Sequence, residues 1–212
     1  LGKLYHAAIT GESSNLPPAY KFSSYAAHLT DKLGADESLA AERYWVDVYR
    51  DSVPVVNLPT DRSRSKLRTF DGWREELAMD SQLVTALKRL GASAQSTFFT
   101  TMFASFNVYM TRLTNQEDIV VGVPAAGQSA VGQENLIGHC INMLPIRSQI
   151  SVQSSFKEVL SGMRQVVLDA YDNQQYTFGS LIPQIPLVRD PSRIPLVPMT
   201  FNIDQESREL SF

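Results

Sequence analysis

Few residues in this sequence are equipped for catalysis. Its three histidines, His6, His28 and His139, lie far apart, and none has a partner at the spacing of a helical metal motif such as HExxH. A metal site therefore has little support. His139 stands beside Cys140, the residue types of a thiol–imidazole nucleophile. Adjacent residues of a strand point to opposite faces, so these side chains should diverge and do no joint chemistry. The single cysteine also rules out an internal disulfide and a cysteine-based zinc cluster. GxSxG, Walker A and GxGxxG motifs are missing, and the spacing of Gly127, Gly132 and Gly138 fits no phosphate cradle. On spacing alone there is no catalytic constellation.

The elements that would position any site alternate between helix and strand. Residues 1–9 read as the end of a helix stopped by Gly11 and the loop 13–18. A helix is expected over 36–50, with Leu39, Tyr44 and Val48, and Trp45 beside them, as its apolar stripe. Pro54 and Pro59 bracket a short extended run, and the loop bearing Arg62, Arg64, Lys66 and Arg68 reads as solvated. Residues 73–77 could form a strand. Ser81 is placed to cap a helix carrying Leu83, Val84, Leu87 and Leu90, which should stop near Gly91. The next helix, 97–113, is the most hydrophobic segment. Its Phe98, Phe99, Met102, Phe103, Phe106, Val108, Tyr109 and Met110 cover most of the circumference, predicting core on several sides rather than a cofactor box.

Asp118 then opens 119–123, a continuous apolar run typical of a buried central strand. A glycine-bearing loop leads to a second strand over 140–146, where Pro145 argues for an edge or an end. Ser154 or Ser155 can cap a long helix to about Tyr171, with Phe156, Val159, Leu160, Met163, Val166, Val167 and Ala170 inward. A short helix is expected over 177–181, and a last strand over 199–203. The alternation predicts an α/β chain without internal repeats.

Composition narrows the function classes. Hydrophobic residues make up 43% and charged residues 19% of 212 residues, as in soluble globular proteins, with room for one large domain or two small ones. The 19 basic and 22 acidic residues are scattered, and without a Lys/Arg block a nucleic-acid footprint is not expected. No apolar run approaches the roughly 18–20 residues that span a bilayer. The first residues show neither an initiator methionine nor a signal-peptide pattern. The chain therefore reads as a piece of something longer, and its single cysteine suits the cytoplasm.

Several ordered stretches resemble the condensation domains of nonribosomal peptide synthetases. Tyr44-Trp45 followed by Leu58-Pro59-Thr60-Asp61-Arg62 is similar to that family's YW…LPTDRPRP, with Ser63 in place of a proline. Gln116 to Pro124 resembles QEDIVVGTP, and Ile137 to Arg147 resembles IGxFVNTLPLR, with Cys140 in place of the usual phenylalanine. Tyr171 to Phe178 resembles YxHQdyPF, with Asn173 where histidine is common, and Arg189 to Leu196 resembles RDxSRxPL. The resemblance covers about 44–205. It suits ordinary condensation better than epimerisation or terminal cyclisation.

The resemblance implies a chloramphenicol-acetyltransferase-like fold, in which two like lobes meet at a tunnel and each packs a mixed β-sheet against helices. This chain would hold the end of a first-lobe helix and a linker in 1–30 and the C-terminal lobe in 31–212. A floor loop would occupy about 125–138, and the latch would start about 198–212. The family's HHxxxDG motif, with the catalytic histidine, would lie upstream of Leu1, so the chain alone should be inactive. Its implied partners are the N-terminal lobe and the upstream and downstream carrier proteins, with no nucleic acid and no membrane. No cofactor would be bound directly, because substrates ride on the carriers' phosphopantetheine arms. Gly127, Gly138, Asn142 and Arg147 become candidates for the tunnel wall. The glycines have a plain surface loop as the lesser reading, and Asn142 could bond a substrate amide or satisfy strand-end backbone. Arg189, Asp190, Ser192 and Arg193 read as a structural ion-pair turn holding the sheet's end. A different class of function also fits: a non-catalytic, condensation-like docking module that recruits another protein.

Overall fold

Four helices, over 81–93, 98–114, 156–172 and 178–181, start where a side chain replaces a missing backbone partner. In the computed structural model, which describes residues 2–16, 18–32, 34–130, 132 and 136–204, α1 (Gly2–Thr10) ends at Gly11, whose φ of 74° suits glycine. A helix not expected from sequence, α2 (Phe22–Asp31), occupies the region read as linker and buries Tyr25. Next, α3 (Asp36–Tyr49) starts with Asp36 and Glu37 at its positive end. Its buried line is Ala41, Trp45 and Tyr49, one position on from the expected Tyr44 and Val48, while Leu39 is exposed. The four-residue step of these three keeps them on one helix face.

The run from 50 to 80 contains no helix or strand, so the strand expected over 73–77 does not form. For α4 (Ser81–Ser93) the cap is Asp80 rather than Ser81, its carboxylate accepting from the N–H of Gln82 at 2.7 Å and of Leu83 at 3.3 Å. The helix also runs past Gly91. A Cβ at that position would sit 2.4 Å from Thr101 Oγ1, so the glycine lets α4 approach α5 closely instead of ending the helix.

The hydrophobic helix α5 (Phe98–Thr114) is capped by Thr97 and closed by Asn115 at φ 55°. Phe103 is fully buried, stacked on Phe99 at 5.8 Å and tilted against Phe201 at 5.3 Å. The burial is less all-round than expected. Tyr109 is exposed, and the innermost seam also carries Thr100, Thr101, Asn107 and Thr111. Asn107 donates to Phe103 O at 2.8 Å and accepts from Ser148 Oγ at 2.9 Å, so its buried amide is satisfied across to the sheet.

β1 (Asp118–Ala126) and β2 (Ile141–Gln149) pair antiparallel from Asp118↔Gln149 to Ala126↔Ile141. Between them lies a short helix, α6 (Gly127–Ala130). Residues 119–123 are buried throughout, as a central strand should be. β2 lies at the edge and runs on through Pro145, whose carbonyl accepts from the Tyr49 hydroxyl at 2.6 Å. On the other side of β1, the expected last strand shrinks to one parallel bridge, Gly122↔Thr200, which makes the sheet mixed. The latch positions 205–212, and Val131 and 133–135 of the floor loop, lie outside the described residues.

The long helix α7 (Phe156–Asp172) opens with a full capping box, Ser155 and Glu158, and buries Val159, Leu160, Met163, Val167 and Ala170. A single turn, α8 (Phe178–Leu181), follows, capped by Thr177. α5 and α7 pack on each other, α5 against β1 and α7 against β2.

Candidate functional site

β2 carries two of the sequence-predicted site residues, and each is committed to backbone elsewhere in the chain. Asn142 donates both amide hydrogens, to Gln174 O at 2.8 Å and Tyr176 O at 2.9 Å, and accepts from Phe178 N at 3.0 Å. One side chain thus ties the strand to the turn between α7 and α8. Of the two roles open to Asn142, this geometry supports satisfaction of backbone. Asn173 C=O in the same turn accepts from Trp45 Nε1 at 2.9 Å, which brings α3 in.

Arg147 sits at the other end of β2. Its Nε and Nη2 form a fork on Asp118 at 2.9 and 2.6 Å, Nη1 reaches Val48 O and Ser52 O, and Nη2 also reaches Ser52 Oγ. These contacts occupy the guanidinium on every nitrogen. Hydrogen bonding to Asp118 raises the Arg147 pKa, and the partial burial of the group opposes the rise. Burial pushes the Tyr49 hydroxyl well above the usual phenol range, with the nearby Arg147 charge pulling it down. Tyr44 is pushed up to about 12 by burial and by the Asp169 charge. Sequence reasoning missed Asp118, Ser52 and Tyr49 as partners. A signal was present for Tyr49 alone, in its four-residue step from Trp45.

Gly127 and Gly138 are brought together by α2. Gly127 N–H donates to Cys140 O at 2.8 Å. A Cβ on Gly127 would meet Tyr25 Oη at 2.5 Å and Cys140 O at 2.6 Å, and one on Gly138 would meet the Phe22 ring at 2.3 Å. Both glycines therefore seat the aromatic pair of α2. Tyr25, Leu136 and Cys140 form a small core of their own, while neighbouring His139 is exposed.

The Arg189–Arg193 turn is built as an ion-pair turn, but it holds a different segment from the one expected. Asp190 accepts from Ser192 N at 2.8 Å and Ser192 Oγ at 2.6 Å, and Arg193 Nε lies 3.2 Å from its other oxygen. The Ser192 bonds, more than the Arg193 charge, hold the Asp190 carboxyl below its usual range. Arg193 then donates to Val56 O and Asn57 Oδ1, both at 2.9 Å, which anchors the proline-bracketed extended run rather than the sheet's end. Arg189 is exposed. Among the described residues no group of three His, Cys, Asp or Glu could hold a metal ion, and no helix is long and apolar enough to cross a membrane.

A small mixed sheet with α5 and α7 packed against it makes an α/β fold, and the Arg147 fork and the Asn142 contacts tie its edge strand to the rest of the chain. The sequence matches the Condensation domain family over residues 1–211, and the chain belongs to that family. It is 37% identical over 172 residues to gramicidin S synthase 2 of Brevibacillus brevis, covering 80% of this chain and 4% of that protein. Tyrocidine synthase 3 of Brevibacillus parabrevis is 30% identical over 193 residues, 91% of this chain and 3% of its own length. Among solved structures, the first condensation domain of the CDA synthetase aligns with TM-score 0.74 at 17% identity, over 86% of this chain and 40% of its own. The complex of the X-domain and OxyB from teicoplanin biosynthesis aligns with TM-score 0.83 at 21% identity, over 99% of this chain and 47% of the matched one. These likenesses show the chloramphenicol-acetyltransferase-like fold of condensation domains. The chain spans a few per cent of those synthases and under half of those solved chains.

Proposed function

We propose that residues 31–212 are the C-terminal lobe of an amide-forming condensation domain, with 1–30 bringing the end of its first lobe. The observation that carries this reading is the family match across residues 1–211. An upstream carrier protein presents an acyl or peptidyl thioester, and a downstream carrier presents an aminoacyl group, both on phosphopantetheine arms. The amine nitrogen attacks the thioester carbonyl. The C–N bond forms, the C–S bond breaks, and the proton lost by nitrogen ends on the released thiol. A histidine of the other lobe's HHxxxDG motif takes that proton or orients the amine and stabilises the tetrahedral species.

This chain's part is shape. Asn142 and Arg147 hold β2 against α3 and the 173–178 turn. Gly127 and Gly138 let α2 close over the 125–138 loop, so these residues fix one wall of the tunnel without transferring protons. The test is amide formation by the full condensation domain with both carriers loaded, against the same domain with the motif's second histidine replaced by alanine. Product from the unaltered domain alone supports the reading. Equal product from both, or none from a folded domain given loaded carriers, would overturn it.

A further inference from the structure

Four arginines of the chain, Arg50, Arg74, Arg147 and Arg193, each pair with a carboxylate. Arg62, Arg64, Lys66 and Arg189 do not. All four are exposed, and among the described residues no hydrogen bond or ion pair engages their side chains. Distant in sequence, they are neighbours in the fold. Arg68 N–H donates to Pro191 O at 3.2 Å, and Arg193 donates to Val56 O and Asn57 Oδ1, so 56–68 and 189–193 are tied together at two points. After the Ser192 hydrogen bonds and Arg193, the Arg64 charge also lowers the Asp190 carboxyl, which sets that guanidinium near the turn.

Six basic residues against Asp61 and Asp190 give 61–68 and 189–193 together a net charge of +4. The whole chain carries −3, so everything outside the two segments carries −7. Positive charge this concentrated on a negative molecule attracts anions and steers their approach. The border of the patch is apolar. Leu67, Phe70 and Val188 are 69%, 89% and 88% exposed, and the Arg68 guanidinium lies 4.9 Å from the Phe70 ring centre. Arginine among open aromatic and aliphatic side chains is the composition of a protein interface.

We propose that residues 61–70 and 188–193 form one docking surface for an acidic protein segment, whose carboxylates meet the four free cations and whose apolar side chains cover Phe70 and Val188. The charges and the apolar border choose this occupant. A free phosphate would use the cations and leave the border open. A nucleic acid or an anionic lipid surface extends well past the patch, where its phosphates would face the −7 carried elsewhere. A second copy of this chain is a poor source of carboxylates. Its Asp47, Glu76 and Asp118 are taken by arginines, and its Asp80, Glu117 and Glu158 by backbone N–H groups. An acidic segment from another protein meets both needs, and arginine forks suit its carboxylates.

This surface does not depend on the condensation reaction, and its test is one of binding. The probe is a fluorescent synthetic peptide in which Glu and Asp alternate with Leu and Phe. It is titrated into 1–212 and into the longer synthetase polypeptide that contains it. Both should bind it, and binding should weaken on the order of tenfold as salt rises from about 50 to about 300 mM. Arg64→Glu with Arg189→Glu should weaken it about tenfold or more at the lower salt, while Arg164→Glu, at an exposed position of α7, should leave it unchanged. Melting curves check that each variant is folded. Arg62→Glu with Lys66→Glu should give the same loss without touching the residue beside Asp190. Binding that ignores these substitutions overturns the proposal, as does binding that is lost in the longer polypeptide, where the rest of the chain would then cover the patch. Equal affinity for a peptide with Gln and Asn in place of the acids, or with Ser in place of Leu and Phe, also overturns it. So does tighter binding of a DNA oligonucleotide or of phosphatidylserine vesicles, and so does self-association of 1–212 at low salt that the same variants abolish.

Discussion

The strand pair 118–149 and the segment 61–80 belong to one chain and differ in almost every physical respect. Within the pair, Asn142 spends both its N–H groups on the 174–176 backbone and Arg147 spends its guanidinium on Asp118, Ser52 and the end of α3. Throughout 61–80 every residue is exposed. Both regions carry strand-like patterning, so patterning does not separate them. What separates them is that 118–149 holds its strand partner among the described residues, whereas no backbone group of 69–79 bonds to another segment there. A period-two segment without a neighbour keeps its face alternation and loses its ladder, because the hydrogen bonds of a strand belong to the pair.

The contrast can be broken most strongly at its buried centre. Phe103→Ala should destabilise the chain by about 3–5 kcal/mol, since the fully buried ring leaves a cavity between Phe99 and Phe201. A chemical melt measures this, and an unchanged midpoint would remove α5 from the core.

Arg147→Ala should cost about 2–3 kcal/mol, less than a fully buried pair because the Asp118 side chain stays 34% exposed. Arg147→Lys should recover only part of that, since an ammonium cannot make the fork.

Tyr49→Phe leaves the Pro145 carbonyl without its donor and should cost about 1–3 kcal/mol. The same residue sets an alkaline limit. Its pKa is raised above 10.0 in the folded chain, so its contribution is whole below that value and is lost as pH rises toward the folded pKa. Melting at stepped alkaline pH should show a smaller decline in the Phe variant, with Tyr25, Tyr44, Tyr171 and Tyr176, whose pKa values burial also raises, contributing to what remains.

Gly162→Ala should go the other way, stabilising by about 0.5–1 kcal/mol, because a Cβ there meets nothing within 4 Å on a helix. Smallest of all, Leu77→Asp in the 1–212 chain should shift stability by no more than about 0.5 kcal/mol, as expected of an exposed site. A large loss there would show that the segment already has a partner within the chain.

Much of the fold was legible from local chemistry. Ser155 and Glu158 spell a capping box in sequence, and 119–123 is too continuously apolar for anything but a covered strand. Asp80 was passed over because Ser81 beside it is an equally good cap by type, and only the chain's path decides which oxygen faces the helix end. α2 escaped notice because Lys21 provides no side-chain cap and the helix depends on two glycines more than a hundred residues away. The candidate site was legible as residue types but not as roles. Asn142 can bond a substrate amide or a neighbouring turn with the same three contacts, and the choice depends on where residues 174–178 pass.

We propose above that this chain shapes one wall of a condensation tunnel and brings no group that moves the proton. The direct measurement is amide formation with both carriers loaded, by purified 1–212 and by a full-length condensation domain containing it. The account predicts product from the full domain and none above background from 1–212. Turnover by 1–212 alone would contradict it, because a catalytic base would then have to lie within these residues.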